Sequence, residues 1–277
     1  MDTRGLSLRQ LSDSPNAVEV LAAHASPIPG GRRTRLRTPP PIPSTARYRR
    51  RLECTDRAVL ESRQYDHLVA QYRLTDKAIR RSLDAVAARD SDVGDALARV
   101  GYPEPRYRPS GFETLLRIIV GQQVSVAAAD TIANRLFKAL KGEVSAERLL
   151  RLRETTLKKA GLSAPKVRYA RCLARAILDG DLDLDGLEGL PDSEAAQQIQ
   201  TVPGLGRWSA HVYLMFSLGR PDLWPHADVG AMRGLQVIKR LDARPTPREA
   251  DLLAAAFAPH RSAMALLAWK CASATPT

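Results

Sequence analysis

Val202-Pro203-Gly204-Leu205-Gly206-Arg207-Trp208-Ser209-Ala210 is the stretch from which the rest of the chain is best read. Two glycines two residues apart, after a proline and ahead of an apolar-periodic run, describe a tight turn that opens a helix. Gly204 and Gly206 can take positive φ without a Cβ penalty and let another backbone come very close. Upstream, Asp192 or Ser193 can cap a short helix whose apolar positions are Ala195, Ala196, Ile199 and Val202. Downstream, Trp208, Val212 and Phe216 recur at helical spacing. Residues 192–217 are therefore expected to be a helix, a glycine hairpin and a helix. The first N–H groups of the second helix have no intrahelical acceptor and lie at the positive end of its dipole. A phosphate fits there, held by Gly204, Gly206, Arg207 and Ser209. Such a hairpin can also belong to a protein that only holds DNA backbone.

With 277 residues the chain can form one large domain or two small ones, with a core large enough to need no disulfide. A formal net charge of +12 favours a polyanionic partner, because each neutralised phosphate releases counterions. Between Arg32 and Arg51 stand eight arginines, no acid and the cluster Pro39-Pro40-Pro41-Ile42-Pro43. Residues 1–70 are expected to be a basic, disordered extension, either a non-specific DNA tether or a dispensable arm, followed by one domain over 71–277. Cys54, Cys172 and Cys271 are scattered and form no C-x-x-C or Cys/His metal spacing, as suits a reducing compartment. No apolar run reaches the length of a membrane span and no apolar signal core opens the chain. The expectation is a soluble intracellular protein with no membrane partner.

From about Leu74 the periodicity is helical almost throughout. Leu83, Val86 and Ala87 mark one helix, and a second near 93–100 is closed by Gly101 and Pro103. Ser110-Gly111-Phe112-Glu113 reads as a capping box ahead of the stripe Phe112, Leu115, Leu116 and Ile119. A helix opening at Ser125 carries Ile132, Leu136 and Leu140, one ending at Ala160 is stopped by Gly161, and another opens with Pro165 and ends at Gly180. Residues 181–188 read as an acidic loop. Pro221 and Pro225 shape a loop into a helix near Val229, Thr246-Pro247-Arg248-Glu249 is a second capping box, and a last helix runs over about 261–271. About ten short helices with short connections make the fold class all-α.

Two features carry candidate chemistry. In Gly121-Gln122-Gln123-Val124-Ser125 two adjacent amides lie between helices, either as a solvated turn with Ser125 as N-cap or as a contact surface. In Trp224-Pro225-His226-Ala227-Asp228-Val229, twenty residues past Trp208, Asp228 stands just before a helix. It is a good N-cap by position alone, and it can also be a working carboxylate.

The hairpin with Gly206-Arg207-Trp208 resembles the helix-hairpin-helix DNA glycosylases, in particular the DNA-3-methyladenine glycosylase II branch. The GQQVS run, Asp228 and the final stretch from His260 to Trp269 match the same pattern, so that the resemblance spans about 75–272. It implies two packed helical subdomains with the active-site cleft between them and Asp228 as the catalytic residue. An ionised acid in a dry site would stabilise the oxocarbenium-like sugar as the N-glycosidic bond breaks. It implies that Gln123 is the wedge filling the gap left by an extruded base and that Gln122 supports the pocket floor. Trp208, Trp269 and Val212 would line the base pocket, the tryptophans stacking on a cationic alkylated purine. Trp208 stands where bifunctional relatives carry a nucleophilic lysine, so the implied enzyme is a monofunctional hydrolase of base excision repair that leaves an abasic site. No metal site or iron–sulfur cluster is implied, although a monovalent cation on the hairpin carbonyls is. The implied partner is double-stranded DNA with damaged bases, bound by a monomer, cytoplasmic and nucleoid-associated in a bacterium or nuclear in a eukaryote. A superfamily member acting on uracil, hypoxanthine or oxidised purine, and a non-catalytic protein that binds damaged DNA, are the alternatives.

Overall fold

The computed structural model describes residues 74–274, so the expectations for residues 1–70 and for Cys54 lie outside it. No strand occurs among the described residues. They form twelve α-helices: α1 Asp76–Ala87, α2 Ser91–Val100, α3 Phe112–Gly121, α4 Val126–Ala139, α5 Ala146–Arg151, α6 Glu154–Ala160, α7 Ala164–Leu178, α8 Asp192–Gln200, α9 Arg207–Ser217, α10 Val229–Lys239, α11 Pro247–Ala255 and α12 Arg261–Ala274. The count exceeds the expected ten. The chain before Ala160 breaks into α5 and α6 at extended Leu152 and Arg153, and a 3-10 turn, Gly186–Gly189, sits in the acidic loop.

Two apolar cores organise these helices. The larger joins α1, α2, α8, α9, α10 and α12, and the smaller joins α4, α5, α6 and much of α7. Helix α3 belongs to both. Its Leu115, Ile118 and Ile119 enter the larger core, while Leu116 and Val120 enter the smaller, because its apolar stripe covers most of its circumference. Helix α12 is buried from Ser262 to Ala268, as expected of a helix apolar all round. It lies against α10 so closely that a Cβ on Gly234 would come within 1.9 Å of the Ala268 carbonyl oxygen.

Several caps follow the sequence. Thr246 and Glu249 form the full capping box of α11, Ser125 accepts from the Ala128 N–H, and Gly161 ends α6 in the left-handed region. Two do not. The N-cap of α3 is Gly111 at φ 125°, with its N–H donated to the Tyr213 hydroxyl, so Ser110 makes no box and Glu113 pairs with Arg117 instead. The N-cap of α8 is Pro191, because Asp192 turns to the buried Arg220, 3.3 Å away. Burial raises the Asp192 carboxyl above its ordinary range, with Arg220 opposing.

Candidate active site

Asp228 is the N-cap of α10, its Oδ1 accepting the Ala231 N–H at 2.7 Å. The loop that brings it there is tied down along its length. Arg220, 1% exposed, donates to the carbonyls of Leu187, Glu188 and Leu190. Asp222 pairs with Arg261 at the start of α12, and buried Ser262 accepts the Leu223 N–H. The His211 Nδ1 lies 2.6 Å from the Trp224 carbonyl, which can only accept, so Nδ1 carries the proton. Burial pushes His211 below its ordinary value. Just before Asp228 the chain turns through Ala227 at φ +58°, a left-handed conformation that costs a non-glycine residue about 1 kcal/mol or more.

Two indoles converge on the same carboxylate. Trp208 Nε1 donates to Asp228 Oδ2 and Trp269 Nε1 to Oδ1, both at 2.8 Å. The sequence placed these tryptophans beside Asp228 by resemblance and expected their faces to meet a base. The structure turns their N–H edges to the acid. With three N–H donors the carboxylate is fixed in orientation and keeps an acceptor site on Oδ2. The first turn of α10 packs against Trp269 at Gly230, where a Cβ would lie 2.9 Å from the ring. Phe216 leans on Trp269 with centroids 5.7 Å apart, and the Arg106 guanidinium carbon stands 5.4 Å from the Trp269 ring centroid.

The hairpin forms as expected, and its two glycines differ in conformation. Gly204 takes φ +89° and lies flat on Tyr169 of α7, whose ring would be 2.1 Å from an added Cβ. Gly206 instead has φ −87° and ψ −175°, ordinary extended backbone with open space around it, because it is the N-cap of α9. The first intrahelical bond of α9 is Ala210 N–H to Gly206 O, so the N–H groups of Arg207, Trp208 and Ser209 have no intrahelical acceptor.

The side chains of Arg207 and Ser209 are committed elsewhere. Arg207 Nη1 donates to Asp251 Oδ2 at 3.1 Å, and the same oxygen lies 2.9 Å from His226 Nδ1. Ser209 is 2% exposed and accepts from Gln122 Nε2 at 3.1 Å. Any phosphate contact from these two therefore rests on the backbone. Val212 is packed into the larger core, its place set by α9 turning its inner face there.

The turn after α3 meets the hairpin through Gln122, whose Nε2 also donates to Gly204 O at 2.7 Å. Gln122 therefore braces turn against hairpin. Val202 O and Gly204 O each already accept a hydrogen bond, so a cation on these carbonyls would use their second lone pairs. Lys166 Nζ caps the Val120 carbonyl at 2.7 Å and fixes the other side of the turn. Between these anchors Gln123 stands exposed at φ +56°, flanked by Val124, 39% exposed, and Val126, 79% exposed.

Sequence reasoning missed Tyr169, Asp251 and Arg106. Only Tyr169 had a signal, the demand of a positive-φ glycine for a flat partner. Among the described residues no helix is long and apolar enough to cross a membrane.

The family model described as "HhH-GPD superfamily base excision DNA repair protein" matches residues 116–259. The chain is 30% identical over 163 residues to DNA-3-methyladenine glycosylase 1 of Schizosaccharomyces pombe, covering 57% of this chain and 71% of that one. It is 26% identical over 152 residues to DNA-3-methyladenine glycosylase of Bacillus subtilis, covering 51% of this chain and 50% of the relative. The chain thus spans about half the length of the latter. Among solved structures, the S. pombe 3-methyladenine DNA glycosylase in complex with abasic DNA superimposes with a TM-score of 0.65 at 27% identity, covering 69% of this chain and 95% of that one.

Proposed function

The chain belongs to the HhH-GPD superfamily of base excision DNA repair proteins, and from that premise we propose that it is a monofunctional DNA glycosylase releasing alkylated purines of the 3-methyladenine type. The observation that carries this is the convergence of Trp208, Trp269 and the α10 N terminus on the Asp228 carboxylate. A negative group held still beside a sugar stabilises the positive charge that develops there as the glycosidic bond lengthens, and it can orient the attacking water. The damaged nucleotide must leave the stack to reach it. Gln123, raised between Val124 and the braced Gln122, fills the vacancy. The free N–H groups of Arg207, Trp208 and Ser209, with the Gly204 turn, hold the adjacent phosphate. Trp208, whose indole donates to the carboxylate, occupies the position where bifunctional relatives carry the lysine that attacks the sugar, so the strand remains uncut.

Release of 3-methyladenine from methylated DNA tests this. Wild type releases the base and Asp228→Asn does not. Equal rates for the two would remove Asp228 from the chemistry, and nicking by the purified protein without added lyase would contradict the monofunctional assignment. The protein acts as a monomer on double-stranded DNA, and the arginine-rich residues 1–70 add non-specific affinity. Deleting residues 1–65 lowers affinity and the salt slope and leaves single-turnover release unchanged.

A further inference from the structure

The hairpin is poor in charge for a structure that grips a polyanion. Residues 192–217 contain a single lysine or arginine, Arg207, against the two acids Asp192 and Glu194, and the Arg207 guanidinium is paired with Asp251. Uncompensated charge lies beside it instead. Residues 126–178, from α4 to α7, hold twelve lysines and arginines against four acids. On α7, Lys166 donates to the Val120 carbonyl and Arg171 to the Leu152 carbonyl. Arg168 has no such tie. Its guanidinium carbon stands 5.3 Å from the centroid of the Tyr169 ring, the ring on which Gly204 of the hairpin lies. The side chain is exposed and makes no hydrogen bond and no ion pair among the described residues, so its five N–H donors are uncommitted.

We infer that Arg168 is a further DNA-binding residue, gripping the phosphate next along the strand from the one seated on the α9 N terminus. This rests on the DNA-binding part of the reading above. The pull of a helix N terminus fades within its first turn, so the N–H groups of Arg207, Trp208 and Ser209 serve one phosphate. A neighbouring phosphate needs a formal charge, and the hairpin has none to spare. Arg168 supplies it from one ring's breadth away, with a guanidinium whose fork matches two phosphate oxygens. Tyr169 serves both grips. Its ring backs the Gly204 turn and attracts the Arg168 cation, so less side-chain freedom is lost when the strand arrives. A phosphate carries no base information, so Arg168 fixes the register of the strand over the site and takes no part in choosing the lesion.

Binding of the full chain to a duplex with one stable abasic analogue, measured across a range of salt, tests the inference. Arg168→Gln weakens binding about three- to tenfold at low salt and lowers the slope of log affinity against log salt by about one, the mark of one lost phosphate contact. Arg168→Lys keeps the slope. The charge-matched control is Arg244→Gln, exposed beyond the end of α10 opposite Asp228, and it leaves the slope at the wild-type value. Neutral methylphosphonate linkages placed one at a time then locate the partner: one linkage beside the abasic site weakens wild type and leaves Arg168→Gln unaffected. An unchanged slope in Arg168→Gln, or an equal drop in Arg244→Gln, overturns the inference. So does a loss of affinity matched by a lower melting temperature with the slope intact, since that is a structural role through Tyr169. Base release by wild type is scored separately, so a protein that binds with the expected slopes and frees no 3-methyladenine sinks the glycosylase reading while upholding this contact.

Discussion

At the start of α10 the chain supplies its own anion, Asp228, to the helix N–H groups, whereas at the start of α9 it supplies none, because the N-cap is Gly206. The two termini lie within one site, joined by the Trp208 indole, which springs from the first turn of α9 and ends on the cap of α10. An N terminus with its own carboxylate is satisfied and also holds a fixed negative charge. One closed only by glycine leaves its N–H groups and its dipole for an anion from outside. On the proposed function, charge for the sugar and grip for the strand are the same device in two states.

The comparison breaks most severely at its charged member. Asp228→Asn keeps a good N-cap, so the fold and DNA affinity survive while single-turnover base release falls about a hundredfold or more. Next is Gly204→Ala, which meets both the left-handed backbone and the Tyr169 ring and costs about 3 kcal/mol in denaturant unfolding. Gly206→Ala, in open extended backbone, costs under about 1 kcal/mol by the same measurement. Gly206→Asp converts the open terminus into a copy of the closed one. It stabilises the fold by about 0.5 kcal/mol and weakens DNA binding about tenfold at low salt, less at high salt. The smallest effect concerns the loop between the termini. His211 has its folded value depressed below 6.5, so its contribution is complete above that pH and is lost as pH falls toward the folded value. Melting temperature therefore declines from pH 7 to pH 5.5, and His211→Gln flattens part of that decline. His260, also depressed by burial, accounts for a remainder.

Helices were legible because their stripes and caps are local. Ser125, Gly161, Thr246 and the run around Asp228 each announce a boundary within four residues. Where a cap depended on a distant partner, local reading failed. Tyr213 took the Gly111 N–H and Arg220 took Asp192, from 102 and 28 positions away. The site was legible as a set of residues and not as an arrangement. Resemblance brought Trp208, Trp269 and Asp228 together, but whether an indole shows its face or its edge is set by tertiary packing, here by Gly230 and Phe216. Arg207 and Ser209 were assigned a phosphate from proximity to the turn, yet Asp251 of α11 and Gln122 of the turn after α3 claim their side chains. Arg106 lies outside every motif, and only the fold brings its guanidinium carbon within 5.4 Å of the Trp269 ring centroid.

Helix α3, with residues in each of the two cores, acts as a common wall between neighbouring rooms. Swinging one half of the protein away from the other would strip Leu115 and Ile119 from one side or Leu116 and Val120 from the other, at about 1.5–3 kcal/mol for each side chain exposed. The wall thereby ties the two halves into a single stiff body.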